Sequence, residues 1–205
     1  MRVVIITLDG HLASAVQQAR AELKRDLPQV SLRLHAASDW ADDPDSLERC
    51  RQDIEQGDIV FANMLFMDDH IQAVLPWLQA RRPDCDAMIG CIAAAEVIKL
   101  TRMGRFAMDG KQSGITALLK RLRGSKKPGA SSGEKQVAML KRLPKILRFI
   151  PGTAQDVRAY FLTMQYWLAG SSANIANLVR FLIDRYADGE RLAYRGAVRV
   201  AEPLV

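Results

Sequence analysis

Cysteine and histidine are both scarce in this 205-residue chain, with three of each. The cysteines, Cys50, Cys85 and Cys91, form no CxxC pair and have no matching set of histidines. That argues against a zinc site and for free thiols in a reducing compartment. Long hydrophobic runs are also missing. No stretch approaches the roughly 18–20 apolar residues that a membrane-crossing helix needs, and the opening MRVVIITLDGH brings in an acid and a histidine where a secretory signal would need a longer apolar run and a small-residue cleavage site. The expected location is the cytoplasm. There is no GxGxxG after the first apolar run and no GxxxxGK[ST] anywhere, which disfavours a nucleotide loop. No Ser/His/Asp or Cys/His arrangement is recognisable either, so no residue is assigned as catalytic or as a metal ligand.

What is present is an ordinary globular composition, 49% apolar and 25% charged, in a chain long enough to bury a core of its own. The net charge of +6 conceals an asymmetry. Residues 99–148 hold 14 Lys or Arg and 2 Asp or Glu, leaving 15 basic and 21 acidic residues elsewhere. A uniformly basic chain would point to nucleic acid. One basic block on an otherwise acidic chain points to a docking surface or a solvated linker, and nucleic acid is not an expected partner.

The apolar pattern alternates between two periods over residues 1–100. RVVIITL (2–8), VSLRLHA (30–36), DIVFANML (58–65) and CDAMIGCI (85–92) read as strands. Between them, Leu12–Leu27, the DSLERCRQDIEQGD stretch closed by Gly57, and Asp68 to about Gln79 carry helical spacing, and a further helix with Val97, Ile98 and Leu100 follows. Strand and helix in this alternation imply parallel strands joined by right-handed crossovers, a doubly wound, mostly parallel α/β sheet of Rossmann-like or flavodoxin-like type. Residues 101–205 then read as a basic helical extension. It comprises a short helix over 113–124, a mobile loop near 124–134 rich in Gly, Ser, Lys and Pro, and an αα-hairpin over 153–187. Thr153 is the expected N-cap of the first hairpin helix, with Asp156 completing a capping-box variant. Tyr160, Phe161, Met164, Trp167 and Leu168 are expected on its apolar side. Val198 and Val200 could begin a strand.

Two places carry candidate sites. In open α/β sheets ligands lie beyond the carboxyl ends of the strands, which draws attention to Asp9 and His11 after the first strand and to Asn63 at the end of the third. The bland alternative is that Asp9 caps the next helix and His11 is a loop residue. The second place is MLKRLPKILRFIPG, residues 139–152. At roughly 100° per residue, Lys141, Arg142, Lys145 and Arg148 share one arc of a helical wheel, opposite Leu140, Leu143, Leu147 and Ile150. Pro144 breaks any long helix and so argues against a membrane-lying segment. The basic arc is therefore a docking face for a protein or anionic ligand, or the wet side of a packed helix. The carboxylates and imidazole of MDDHI (67–71) do not converge on one ion when placed on a helix, and the two acids suit its N-terminal dipole.

The strings RVVIITLDGHL, GDIVFANMLF, KLTRMGRF, MLKRLPKILRFIPG and FLTMQYWLAGSSANIANLVRFLIDRYA resemble, in this order, the amino-terminal region of magnesium chelatase H subunits, with the cobaltochelatase large subunit a more distant look-alike. None of these strings is a catalytic signature. The resemblance implies participation in ATP-dependent insertion of Mg²⁺ into protoporphyrin IX on the route to (bacterio)chlorophyll. It also implies three kinds of partner: the remainder of an H subunit, two smaller AAA+-type subunits that hydrolyse ATP, and the porphyrin. Family members are much longer, so the resemblance leaves the insertion machinery outside this chain and implies no cofactor bound by it. The competing expectation is a free-standing small-ligand-binding or regulatory α/β protein.

Overall fold

The computed structural model describes residues 1–109, 144–197 and 199–203. Six strands form one sheet in the order β2-β1-β3-β4-β5-β6. β1 (Arg2–Thr7), β2 (Ser31–Ala36), β3 (Ile59–Asn63) and β4 (Ala87–Cys91) are parallel. The short β5 (Arg102–Met103) and β6 (Phe106–Ala107) add an antiparallel edge. Helices α1 (Ala13–Asp26), α2 (Pro44–Glu55), α3 (Asp68–Arg81) and the short α4 (Ala95–Ile98) connect the parallel strands and lead out of β4. The hairpin helices are α5 (Thr153–Ala169) and α6 (Ser172–Tyr186). The expected mostly parallel α/β sheet with a helical extension is what the chain forms.

The continuous apolar runs of β1, β3 and β4 follow from burial on both faces. Val3, Ile5, Ile59, Phe61 and Ile89 point into one core with α1, α5 and α6. Val4, Ile6, Val60, Ala62 and Met88 point into a second with α2, α3 and α4. The helical hairpin thus packs on the α1 face of the sheet. This explains why α6 is buried on more than the single stripe its periodicity predicts: Asn174, Ala176, Asn177, Arg180 and Phe181 are buried along with Ile175, Leu178, Val179, Leu182, Ile183 and Tyr186. Arg180 crosses to α1, pairing with Glu22 at 2.8 Å and Asp26 at 2.8 Å.

Several local expectations are corrected. Thr153 is the first helical residue, not the cap. Gly152 takes the N-cap position with φ 78° and makes no side-chain cap bond. Asp156 is drawn away instead, accepting from the Arg105 backbone N–H at 3.0 Å and the Tyr186 hydroxyl at 3.0 Å. It thereby ties the β5–β6 turn to the hairpin, and Gly104, with φ +57°, leaves the space that the Asp156 carboxylate fills. On α5, Leu168 is exposed, while Leu162 and Tyr166 are buried. The helix after β4 is a single turn, because the chain needs residues 102–107 for the edge hairpin. Val200 lies in an unpaired segment that packs against the core, and Val198 lies outside the described residues. So do the expected helix 113–124 and the loop near 124–134.

Candidate functional site

The strand order reverses between β1 and β3, which places the favoured crevice at their carboxyl ends. The loop after β1 brings Asp9 and His11 together. The Asp9 carboxylate accepts the His11 backbone N–H at 3.0 Å and also meets the His11 Nδ1. That backbone donor, reinforced by the ring, holds the Asp9 carboxyl below its ordinary range. Asp9 does not cap α1, whose N-cap is Leu12 without a side-chain bond. The His11 ring stands edge-on to Trp167 of α5, with centroids 6.3 Å apart. Asn63 sits lower, fully buried. It accepts from the Thr7 hydroxyl at 3.2 Å and donates to the Ile6 carbonyl at 3.2 Å, so its amide stitches β3 to β1 beneath the crevice.

Two residues at this end of the sheet escape sequence reasoning. Met64 and Ile92 follow β3 and β4 with φ of 55° and 47°, and the Met64 N–H donates to the Ile92 carbonyl at 2.8 Å. A left-handed backbone in a residue with a bulky side chain costs on the order of 1–2 kcal/mol, and such strain gathers where the backbone is held for a purpose. Nothing in the sequence announces it, since neither position is Gly or Asn. Phe66 and Met67, each 54% exposed, extend the same loop into solvent.

The basic segment is described from residue 144 onward, and Lys141, Arg142, Leu140 and Leu143 lie outside the described residues. Residues 144–147 are helical. Leu147 is fully buried in the core shared with the hairpin, Ile150 packs against that core, and Lys145 and Arg148 are exposed. Polar side chains of α5 hold the segment in place: Gln155 donates to the Leu147 carbonyl at 2.7 Å, and Arg158 to the Pro144 carbonyl at 3.0 Å. A concavity of about 280 Å³ opens here between Lys145, Arg148, Phe149, Arg158, Leu162 and Glu202. Burial is the main cause pushing the Arg158 pKa down; Arg185 and Arg148 push the same way, and Glu202 opposes them. Phe149 is 84% exposed and Ile146 50%. Both lie off the Leu147–Ile150 stripe, and that displacement is the available sequence signal.

Among the described residues no three His, Cys, Asp or Glu side chains are placed to hold a metal ion. Asp68 and Asp69 are exposed in the first turn of α3. The His70 ring turns away to stand edge-on to Trp40, centroids 5.7 Å apart. No helix among the described residues is long and apolar enough to cross a membrane.

These features define a doubly wound α/β module of flavodoxin-like strand order with an antiparallel edge and a helical hairpin closing one face. The chain belongs to the family described as a domain of unknown function (DUF3479), whose model matches residues 2–161. It matches the amino-terminal region of magnesium chelatase H subunits. It is 46% identical over 202 residues to the magnesium chelatase H subunit of Rhodobacter capsulatus, covering 98% of this chain and 17% of that protein. It is 48% identical over 185 residues to the H subunit of Cereibacter sphaeroides, covering 90% and 16%. Identity to the chloroplastic magnesium chelatase protein ChlH of Oryza sativa is 25% over 213 residues, covering 100% and 15%. The chain therefore spans about a sixth of the length of the curated relatives it matches.

Proposed function

We propose that this chain acts as the amino-terminal module of a magnesium chelatase H subunit, in the ATP-dependent insertion of Mg²⁺ into protoporphyrin IX for (bacterio)chlorophyll synthesis in the cytoplasm. Its role there is binding and assembly, with catalysis residing in the rest of the subunit and ATP hydrolysis in two AAA+-type partners. The observation that carries this reading is 46% identity across 98% of the chain to a protein named as an H subunit. The surface around Lys145 and Arg148 supports a docking role. An exposed aromatic, Phe149, lies among cations that outnumber the one carboxylate lining this concavity, Glu202. Apolar area rimmed by charge suits either an acidic partner surface or the propionates and flat ring of a porphyrin.

Exchanging Lys141, Arg142, Lys145 and Arg148 together for Gln tests the docking face in a full-length H subunit carrying this segment. The expected outcome is an unchanged circular dichroism spectrum, since Lys145 and Arg148 are exposed and exposed charges contribute roughly 0–1 kcal/mol each. Weaker binding of partner subunits or porphyrin, with a shallower salt dependence, should accompany it. Equal binding of both at low salt would leave the basic face merely solvated. Residues 1–205 alone should neither hydrolyse ATP nor insert Mg²⁺, even with both partner subunits added; turnover above a protein-free control would overturn the assignment. The competing reading, a free-standing small-ligand protein, is favoured by the strained Met64–Ile92 pair, which follows β3 and β4 at the same end of the sheet as the Asp9–His11 loop. An open reading frame that continues beyond Val205 into chelatase sequence would remove it.

A further inference from the structure

A larger concavity lies away from both the β1–β3 crevice and the basic segment. It is a cleft of about 500 Å³ between the outer edge of β2 and the helix α2. That volume falls within the roughly 300–1,000 Å³ typical of small-ligand sites. Unlike most such sites its lining is mostly polar, and four of its side chains are arginines, Arg2, Arg20, Arg33 and Arg49, against the carboxylates of Asp39 and Asp53.

The carboxylates do not balance the cations. Asp53 is engaged from within, by Arg2 at 2.9 Å and by the His35 Nε2 at 2.8 Å, and Arg33 reaches it only at 3.9 Å. Arg49 is drawn to Asp43 at 2.7 Å, on an exposed part of the rim. Arg20 comes round from α1 and donates from Nε to the Leu32 carbonyl at 2.7 Å. Burial and then the neighbouring Arg33 disfavour its charge, against a weaker pull from Asp53. A half-buried guanidinium beside a second guanidinium, hydrogen-bonded to a carbonyl rather than a carboxylate, calls for an anion from outside.

A second observation points the same way. Trp40 and Ser46 line this cleft, and the Trp40 Nε1 and Ser46 Oγ are buried without hydrogen-bond partners. Trp40 itself is only 8% exposed. A buried indole N–H is normally satisfied, because leaving one unpaired costs on the order of 1–3 kcal/mol. Two guanidinium groups, an indole N–H and a hydroxyl make up a set dominated by donors, which selects a ligand rich in acceptor oxygens.

We propose that the β2–α2 cleft is a binding site for a small oxyanion-bearing ligand of the phosphate-ester or polycarboxylate class. Arg20 and Arg33 neutralise its charge, and Trp40 and Ser46, whose Nε1 and Oγ are closed to solvent as the cleft stands, hydrogen-bond an oxygen at the inner end once a side-chain shift opens them. The segment 110–143 is a poor candidate for the occupant, since it carries nine Lys or Arg against one Glu. The site stands independently of the chelatase assignment.

Inorganic pyrophosphate and citrate, titrated into the 205-residue chain against sodium chloride of matched ionic strength, are the probes. The Trp40 indole N–H resonance should shift saturably, and the thermal midpoint should rise with either anion but not with chloride. Arg20→Gln combined with Arg33→Gln should weaken the binding by roughly tenfold or more. Trp40→Phe keeps an aromatic ring at the position and should weaken binding while abolishing the reporter signal, so the midpoint shift is its readout. A response equal to that of chloride, or an undiminished response in the Arg20/Arg33 variant whose own thermal midpoint matches the parent, would overturn the proposal. So would binding of polyglutamate without any response to either small anion, because the cleft would then be a surface for an acidic chain.

Discussion

Single residues in this chain are constrained mostly by closeness of approach. Gly90 in β4 lies against the turn of α4, where an added Cβ would fall 2.7 Å from the Val97 carbonyl carbon and closer still to its oxygen. Its carbonyl also accepts from the Tyr160 hydroxyl at 3.1 Å and the Thr101 hydroxyl at 3.1 Å. Gly90→Ala should therefore cost on the order of 3 kcal/mol, read as a fall in the urea midpoint at constant slope. The three thiols are buried, and burial pushes Cys50 up to about 12 and Cys85 and Cys91 upward as well. The folded protein should not react with a disulfide reagent at pH 8, whereas all three thiols should titrate in urea; fast reaction in native buffer would contradict the burial. His35 illustrates competing effects. Desolvation lowers its pKa more than the hydrogen bond to Asp53 raises it. The folded state thus holds a neutral ring that the unfolded chain protonates more readily. The associated stability is present above the ordinary histidine value near 6.5 and is lost as pH falls below it. His35→Gln should flatten that part of the stability–pH curve.

Among the elements, polar contacts decide how the helices are held on the sheet. Arg180 is 8% exposed and bridges α6 to two acids of α1. Its replacement by Met should cost about 1–3 kcal/mol, since the bonds are charge-assisted while the acids left behind keep access to water. Asp156 performs the same office between the edge hairpin, α5 and α6. Tyr186→Phe should cost about 1 kcal/mol by removing one of its donors, and Asp156→Ala should cost more, because the Arg105 N–H and the Tyr186 hydroxyl both lose their acceptor. Matching denaturation midpoints for these two variants would mean that Asp156 binds only one of them effectively.

For the molecule as a whole, the helical hairpin shares with α1 the cover of one face of the sheet. Without it, Ile5, Phe61 and Ile89 would lose the layer formed by Tyr160, Trp167 and Leu182. Residues 1–109 alone should accordingly bind a hydrophobic dye and unfold without a sharp transition, and restoring residues 144–203 within the full chain should recover cooperativity. A cooperative, dye-free fragment would show that the α/β part is self-sufficient.

The class of fold is legible in the order of the amino acids. Apolar runs at 3–6, 59–62 and 87–92, spaced by helical periods, are satisfied by strands buried on both faces, and the amphipathic series from Ile175 to Tyr186 suits a packed helix. The exposure of Lys145 and Arg148 is legible too, because Leu147 and Ile150 take the opposite side. Residues that depend on contacts between distant parts of the chain are not. Asp156 reads as a cap partner for Thr153, but it is claimed by Arg105 and Tyr186, 51 and 30 residues away. Asn63 reads as a ligand at a strand end and is used to bind β1 to β3. The strain at Met64 and Ile92, and the gathering of Arg20, Arg33, Trp40 and Ser46 around one cleft, arise from how the strands are ordered. Local periodicity records which face of an element is apolar, whereas strand order and helix docking, set by packing between segments far apart in the chain, settle which polar groups meet.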